Sequence, residues 1–344
     1  MKVLILKPSS LGDVVQALPL ARMIRAKHAT AEISWWISDD LRSLLEGDPD
    51  ICNLIEFHRK KWASPRHWGD IVRSIGEARR MRFDWVLDLQ GLARSAAFSW
   101  FVNGNFTVGL DNPREGASLA YDVAVRRPQD SPHAVDWYLK VLDALDVPVR
   151  WDFEWLPRRP LAEAAVVRGL EGWTGPLIAI CPGARWNTKR WPVGSFARLI
   201  DRIEETLPDV RFAVVGGRGD RSMGEELIRG NPDRRLDLTG RTSLAEMIEW
   251  IRRSALLITN DTGPMHVGAA LNTPVVGLFG PTDPRQTGPY GQLNETLQIE
   301  ELPCVPCRKA ACRRPVSMEC LSELTPEFVF ERFMERWQRL KNAA

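Results

Sequence analysis

The chain has 344 residues, of which 44% are hydrophobic and 26% charged, and its formal net charge is +2. These values are typical of a globular protein with room for two domains, and the near-neutral charge argues against a nucleic-acid partner. Six cysteines are too few for a disulfide framework in a chain of this length, and no apolar run reaches the roughly 20 residues of a membrane span. Because no signal peptide precedes the first predicted strand, we expect a cytoplasmic protein.

Residues 1–146 alternate between apolar strands and helices. The predicted strands are residues 2–6, 31–38, 51–57 and 83–91, and the predicted helices are 14–27, 41–46, 68–81, 92–101 and 133–146. Pro148 ends the last of these helices. The segment "VPVRWDFEWLPRRP" at 147–160 is rich in tryptophan and proline, and we interpret it as an interdomain connection.

A second alternating series follows this connection. Strands are predicted at 176–184, 210–217, 255–261 and 274–280, and helices at 193–207, 220–230, 244–253, 264–271 and 326–341. Continuous apolar strands that alternate with helices indicate parallel sheets covered on both faces. The sequence therefore predicts an α/β fold with two Rossmann-like, doubly wound domains, residues 1–160 and 161–322, facing each other across a cleft. The last segment, 323–344, is expected to form a helix that packs back toward the first domain.

The motif "NDTGPMH" at 260–266 follows a predicted strand, where ligands of parallel sheets usually bind. Asp261 could simply cap the next helix by accepting backbone N–H groups. Alternatively, the N–H groups of Thr262 and Gly263 and the helix dipole form a phosphate site, with Asp261 accepting sugar hydroxyls. His266 then faces either the ligand or the neighbouring strand.

The loop "CPGARWNTKRWP" at 181–192 has the same form, with a strand before it and a helix after it. Lys189 is a mobile point charge suited to a pyrophosphate, although a solvated surface lysine would look the same in sequence. Both interpretations stay open on this loop alone.

The first predicted strand ends in "SSLGD", residues 9–13. Gly12 permits close approach to the backbone, and Asp13 stands where the next helix begins. Asp13 is either a helix cap or a general base within reach of an acceptor hydroxyl. A helix N-terminus stabilises the anion and so weakens the base, which means that such a base acts mainly through its position.

These loops together resemble one family, the ADP-heptose:lipopolysaccharide heptosyltransferases of glycosyltransferase family nine. The resemblance rests on five segments in the same order along the chain: "SSLGDVVQALP" at 9–19, "DLQGLARSA" at 88–96, "PGARWNTKRWP" at 182–192, "NDTGPMHVGAAL" at 260–271 and "GLFGPTDP" at 277–284. The runs "REGASLAYD" at 114–122 and "HAVD" at 133–136 look more like heptosyltransferase I than heptosyltransferase II.

The resemblance implies a GT-B architecture and an inverting, metal-independent transfer of heptose from ADP-heptose to the Kdo of lipid A–Kdo, in the lipopolysaccharide inner core. It places the acceptor on the first domain and the donor on the second, and it implies an enzyme that requires no cofactor. By position, Asp13 matches the family's catalytic base and Lys189 the lysine on the donor phosphates. The other residues assigned to the donor are Thr188, Asp261, Thr262, Gly263 and His266, and those assigned to the acceptor are Ser10, Gly12, Lys61 and Arg94.

An anionic acceptor should meet basic residues, and residues 58–94 contain nine Lys and Arg against four acids. This segment is either a solvated helical face or a surface that holds Kdo carboxylates and lipid A phosphates at the membrane. The second interpretation predicts an enzyme bound peripherally to the cytoplasmic face of the inner membrane.

Four cysteines, Cys304, Cys307, Cys312 and Cys320, cluster near the end of the second domain. The first pair has the spacing of zinc ligands, but the later spacings do not match a paired CxxC site. A structural zinc and unliganded thiols both remain possible interpretations.

Two kinds of alternative function remain. One is a transferase of the same family, of heptosyltransferase II or III type. It would differ from the first interpretation only in the acceptor that the first domain binds. A non-catalytic two-lobed sugar-binding protein would usually carry a signal peptide, and an NAD-dependent enzyme would usually carry GxGxxG after its first strand.

Overall fold

The computed structural model describes residues 1–62, 64–112 and 115–343, which form two compact units, Met1–Pro157 and Arg158–Ala344. Arg114, which opens the 114–122 run, lies outside the described residues. Among the helices of the described part, none is long and apolar enough to cross a membrane.

The described part of the first unit contains a six-stranded parallel sheet. Its strands are β1 (Lys2–Leu6), β2 (Glu32–Ser38), β3 (Ile51–Phe57), β4 (Trp85–Asp88), β5 (Phe106–Leu110) and β6 (Val123–Val125), in the order β3-β2-β1-β4-β5-β6. Its helices are α1 (Leu11–Lys27), α2 (Arg42–Leu45), α3 (Arg59–Trp62), α4 (Trp68–Met81), α5 (Ala93–Val102) and α6 (Ala134–Leu139). The chain winds outward from β1 in one direction and from β4 in the other, so the loops after these two strands diverge.

The described part of the second unit repeats this topology. Its strands are β7 (Leu177–Cys181), β8 (Arg211–Val214), β9 (Arg235–Asp237), β10 (Leu256–Asn260), β11 (Val275–Phe279) and β12 (Thr296–Gln298), in the order β12-β11-β10-β7-β8-β9, all parallel. Its helices are α7 (Pro160–Leu170), α8 (Val193–Thr206), α9 (Arg221–Ile228), α10 (Leu244–Arg253), α11 (Gly263–Ala270), α12 (Pro284–Thr287), α13 (Glu319–Ser322) and α14 (Pro326–Ala343). The corresponding divergence lies between β7 and β10.

The structure differs from the sequence prediction at several element ends. Helix α1 begins at Leu11, three residues before the predicted start, because Ser10 precedes its first turn. The predicted helix 133–146 consists of α6 and a following 3-10 turn at Lys140–Leu145. The strands and helices that the sequence did not reveal are the short strands β5, β6, β9 and β12, the helix α7 and the short helices α3, α12 and α13.

The last helix, α14, completes the core of the second unit. Its side chains Val329, Phe333 and Trp337 are buried in one apolar cluster with Phe196 and Leu199 of α8. The division between Pro157 and Arg158 lies close to the domain boundary predicted at 160. The expected packing of this helix toward the first domain stays a prediction.

We expect Phe333→Ala to lower the free energy of unfolding of the second unit by about 3–5 kcal/mol, because the substitution leaves a cavity at a fully buried position. The substitution Arg332→Ala, at the neighbouring position, removes an exposed ion pair with Glu335. It should change the free energy of unfolding by less than about 1 kcal/mol. Urea unfolding followed by tryptophan fluorescence measures both, and equal effects of the two variants would contradict the assigned packing of α14.

Candidate functional site

A buried lysine joins the diverging loops of the first sheet. Lys7, directly after β1, donates from Nζ to the carbonyl oxygen of Leu89, directly after β4, at 2.8 Å. Trp35 of β2 donates from its indole nitrogen to the carbonyl oxygen of Lys7 at 3.0 Å. These bonds fix the backbone immediately before α1, the helix that carries Asp13.

Hydrogen-bond donors surround Asp13, the third residue of α1. The backbone nitrogen and the hydroxyl of Ser10 donate to Oδ2 at 2.9 and 2.6 Å. The Tyr138 hydroxyl of α6 donates to Oδ1 at 3.3 Å, and Lys7 Nζ lies 3.8 Å from the same oxygen. Asp13 therefore does take part in capping α1, yet its side chain is 40% exposed and remains within reach of a ligand. The two sequence interpretations are compatible.

Lys7 and Tyr138 form a buried pair beside Asp13. Burial opposes a charge on Lys7, but Tyr138 and Asp13 together outweigh burial and raise the pKa of Lys7 above 10.5. Burial, opposed by the Lys7 charge, raises the pKa of Tyr138 to about 12. At neutral pH the lysine is therefore a cation and the tyrosine a neutral hydrogen-bond donor beside Asp13.

A second buried carboxylate, Asp88, organises the turn after β4. Its Oδ1 accepts the backbone N–H groups of Gln90 and Gly91 at 2.9 and 3.1 Å, and its Oδ2 accepts the Tyr121 hydroxyl at 2.7 Å. Burial raises the pKa of Asp88 in spite of these bonds. The turn leads into α5 and its second residue, Arg94.

The residues assigned to the acceptor occupy different surroundings. Ser10 bonds to Asp13, and Gly12 is buried as the second residue of α1. Arg94 and Lys61 are exposed, and neither side chain forms an ion pair or a hydrogen bond with another described residue. The side chains of Arg59 and Lys60, which belong to the basic segment 58–94, lie outside the described part of the structure.

The second sheet brings Lys189 and Asp261 together at the corresponding divergence. Lys189 Nζ lies 2.6 Å from Asp261 Oδ2, and the Thr282 hydroxyl donates to the same oxygen. Asn260, the last residue of β10, donates from its amide to the carbonyl oxygen of Pro182 at 2.7 Å and so ties together the loops after β10 and β7. A lysine, a buried carboxylate and a hydroxyl from three loops thus meet at one end of the sheet.

Helix α11 starts beside this cluster. Thr262 precedes its first residue, Gly263, and makes no side-chain hydrogen bond to the first turn. The first-turn N–H groups and the positive end of the helix dipole favour an anion here. His266 follows in the first turn and is buried.

The segment that carries the clustered cysteines contacts the loops after β7 and β11. The Thr188 hydroxyl donates to the carbonyl oxygen of Lys309 at 2.9 Å, and the backbone N–H of Arg308 donates to the carbonyl oxygen of Pro281 at 2.7 Å. Thr188 is therefore buried, with its hydroxyl turned toward this segment.

The structural zinc site considered for the cysteines does not form. Cys304, Cys307, Cys312 and Cys320 line one cavity as free thiols, but the described residues contain no group of three or more His, Cys, Asp or Glu side chains that could hold a metal ion. The sulfur of Cys312 instead accepts the backbone N–H of Met318 at 3.4 Å. Cys320 lies in α13, where burial raises its pKa to about 11.

Sequence reasoning missed Lys7 and Tyr138. A lysine directly after an apolar strand was the available signal for Lys7, but it does not reveal that the side chain turns inward. Tyr138 is 125 residues from Asp13 in the chain, and only the packing of α6 on α1 brings them together.

The buried pair predicts a loss of stability in alkali. Because the folded-state pKa of Tyr138, about 12, lies above the unfolded value of 10.0, its contribution is complete below pH 10 and is lost as the pH rises toward 12. The contribution is on the order of 2–3 kcal/mol. Tyr138→Phe should therefore show a smaller fall in the free energy of unfolding between these pH values, measured by urea titration at each pH. An identical fall in the variant and the original protein would exclude this role.

The comparisons with known proteins agree with this geometry. The family model for glycosyltransferase family 9 (heptosyltransferase) matches residues 71–317. Lipopolysaccharide heptosyltransferase 1 of Pseudomonas aeruginosa is 29% identical over 330 residues, 91% of this chain and 87% of that protein. Lipooligosaccharide heptosyltransferase 2 of Haemophilus influenzae is 26% identical over 352 residues, 97% of this chain and 99% of that protein.

Two solved structures share the fold along nearly the whole chain. The ADP-heptose LPS heptosyltransferase II of E. coli gives a TM-score of 0.77 at 22% identity, covering 99% of this chain and 100% of that one. The E. coli heptosyltransferase WaaC with ADP gives 0.76 at 23% identity, covering 98% and 100%. With the two parallel sheets, these matches confirm the predicted α/β fold class and GT-B architecture. The chain is a glycosyltransferase, and it belongs to glycosyltransferase family 9, the heptosyltransferase family.

Proposed function

We propose that this enzyme transfers heptose from ADP-heptose to the Kdo of lipid A–Kdo, with inversion and without a metal. The observation that carries the donor half is the contact between Lys189 and Asp261 at the start of α11. Relatives whose names specify lipopolysaccharide or lipooligosaccharide heptosyltransferases support the substrate class. We assign the donor to the second unit and the acceptor to the first.

In the proposed donor site, Lys189 neutralises the pyrophosphate. Asp261 is buried and holds the lysine, while Thr282 shares the same carboxylate oxygen. When ADP-heptose binds, the ammonium group lies between the carboxylate and the phosphates, so the two anions do not face each other unscreened. The N–H groups of Thr262 and Gly263 supply further donors, and Thr188 and His266 support the two loops.

In the proposed acceptor site, Asp13 is the general base. An acceptor hydroxyl attacks the anomeric carbon, its proton passes to Asp13, and ADP leaves with the electron pair of the broken bond. Charge builds on the leaving pyrophosphate, where the lysine and the amide dipoles stabilise it in place of a metal. Ser10, Gly12, Lys61 and Arg94 are assigned to the acceptor, and Arg94 and Lys61, which are exposed and pair with no other described residue, suit its anionic groups.

The acceptor type is the least constrained part of this proposal. Relatives named heptosyltransferase 1 and heptosyltransferase 2 match the chain at similar identity, 29% and 26–29%. A transferase that adds a later heptose is therefore the second candidate. Because lipid A is embedded in a bilayer, we further propose that the enzyme works at the cytoplasmic face of the inner membrane as a peripheral protein.

For the donor site, we expect ADP to raise the melting temperature of the protein and NAD to leave it unchanged. Lys189→Ala should weaken ADP binding by roughly 10- to 100-fold, because a charge-assisted contact is lost and Asp261 is left facing the phosphates. Arg185→Ala is the matched control, an exposed cation on the same loop. Isothermal titration calorimetry measures all three proteins, and unchanged ADP affinity in Lys189→Ala would rule out this donor site.

For the base, Asp13→Asn should lower the transfer rate by about 10²- to 10⁴-fold while ADP affinity stays the same. The variant keeps the size of the side chain and one acceptor oxygen for the Ser10 N–H at the start of α1. Product formation is followed by mass spectrometry with ADP-heptose and Kdo–lipid A. Near-normal turnover in the variant would show that another group takes the proton.

The same assay separates the acceptor types. Purified enzyme should heptosylate Kdo–lipid A that lacks heptose and should leave an acceptor that already carries the first heptose unchanged. The opposite preference would favour the heptosyltransferase II alternative.

A further inference from the structure

Four large apolar side chains are exposed on two neighbouring helices of the first unit. Trp68 and Val72 of α4 are 60% and 70% exposed, and Trp100 and Phe101 of α5 are 63% and 52% exposed. Single exposed apolar residues are common on protein surfaces, but a group of them on adjoining elements marks an interaction site.

The helix geometry places these side chains on one connected surface. Trp68, Val72 and Arg79 are separated by four and seven residues, so they share one stripe of α4. At the end of this stripe, Arg79 Nη1 donates to the carbonyl oxygen of Phe101 at 3.4 Å. The exposed stripe of α4 therefore runs to the end of α5 that carries the other two aromatic groups. We call this the α4–α5 surface.

The charges around the α4–α5 surface are mainly positive. The exposed arginines of residues 66–82 are Arg66, Arg73, Arg79, Arg80 and Arg82, whereas the acids of the same stretch are Asp70 and Glu77. Asp70 is already shared between His67, at 3.1 Å, and Arg73, at 3.5 Å. Anionic groups that approach the exposed tryptophans thus meet an excess of guanidinium groups.

We propose that the α4–α5 surface binds the enzyme to a bilayer with anionic headgroups by inserting its aromatic side chains at the lipid–water boundary. Tryptophan favours this boundary because its ring is apolar and its N–H is polar. Arginine pairs with phosphate while its methylene groups lie along the apolar layer. An apolar centre edged with cations fits such a membrane better than it fits an average protein surface.

The surface leads directly to the proposed acceptor residue, and this step rests on the proposed function. Arg94, Ala97 and Phe101 are spaced by three and four residues, so they lie on the same exposed stripe of α5. Arg94 is roughly 10 Å along the helix from Phe101. A bilayer in contact with Phe101 therefore presents the sugar headgroup of an embedded acceptor near Arg94.

The test measures binding of the full chain to sedimenting vesicles. The probes are vesicles of phosphatidylethanolamine with phosphatidylglycerol, and neutral vesicles of phosphatidylcholine. Trp68→Ser with Trp100→Ser should lower the partition coefficient for the anionic vesicles about tenfold or more. Arg79→Gln with Arg80→Gln should lower the partition coefficient about fivefold per arginine for the anionic vesicles only. The double variant should also bind these vesicles with a weaker dependence on salt concentration. ADP-induced stabilisation confirms that each variant is folded.

The matched control is Leu161→Ser with Val167→Ser, which removes equally exposed apolar groups, 89% and 61%, from α7 of the second unit. It should leave vesicle binding unchanged. Unchanged binding in the tryptophan variant, an equal loss in the control, or a tryptophan variant that loses only self-association would each overturn the proposal. Because vesicle binding needs no sugar transfer, an enzyme that heptosylates no acceptor refutes the proposed function alone. If the tryptophan variant transfers heptose normally to a Kdo oligosaccharide without acyl chains but more slowly to a vesicle-embedded acceptor, both the proposed function and the proposed membrane surface are supported.

Discussion

The arrangement of both units depends on one constraint: every strand of each sheet runs parallel, and the chain leaves the two central strands in opposite directions. The loops that follow these strands must separate, which opens a space at that end of the sheet. In each unit a polar side chain bridges the separating loops by donating to a backbone carbonyl. Lys7 does so to Leu89 in the first unit, and Asn260 to Pro182 in the second. Asp13 stands beside the first bridge and the Lys189–Asp261 pair beside the second.

The two units also share an electrostatic pattern, although no sequence repeat relates them. Each holds a lysine near an aspartate whose carboxylate accepts a hydroxyl group: Lys7 and Asp13 in the first, Lys189 and Asp261 in the second. The pairs differ in exposure, since the side chain of Asp13 is 40% exposed and that of Asp261 only 4%. An exposed carboxylate suits a base that must meet a hydroxyl, and a buried one suits the orientation of a neighbouring cation.

The sequence predicted the features that depend on local pattern. Alternating apolar strands and helices predicted both sheets, and two of the loops that follow strands carry Lys189 and Asp261, which lie 2.6 Å apart. The short strands β9 and β12 were not predicted because three residues are too few to show a hydrophobic periodicity. Each of these strands forms only by pairing with the edge of a neighbouring strand. The surroundings of Asp13 could not be predicted for a related reason. The burial of Lys7 and the approach of Tyr138 depend on how the helices pack, and the spacing of residues in the sequence does not determine that packing. Cysteine spacing left zinc and free thiols both open, and the described residues contain no group of side chains arranged to hold a metal ion.

The cysteine-bearing segment contacts the loops after β7 and β11 through main-chain atoms of Lys309 and Arg308, and the Arg308 guanidinium also lies 3.8 Å from Asp283 Oδ2. Side-chain replacements along it, other than at Arg308, can therefore accumulate while the main-chain hydrogen bonds to the two loops persist. An engineered enzyme with a new nucleotide preference faces a stricter condition. A chimaera that exchanges the loops around Thr188 and Pro281 must import this segment with them, since otherwise the grafted loops lose the hydrogen-bond partners that shape them.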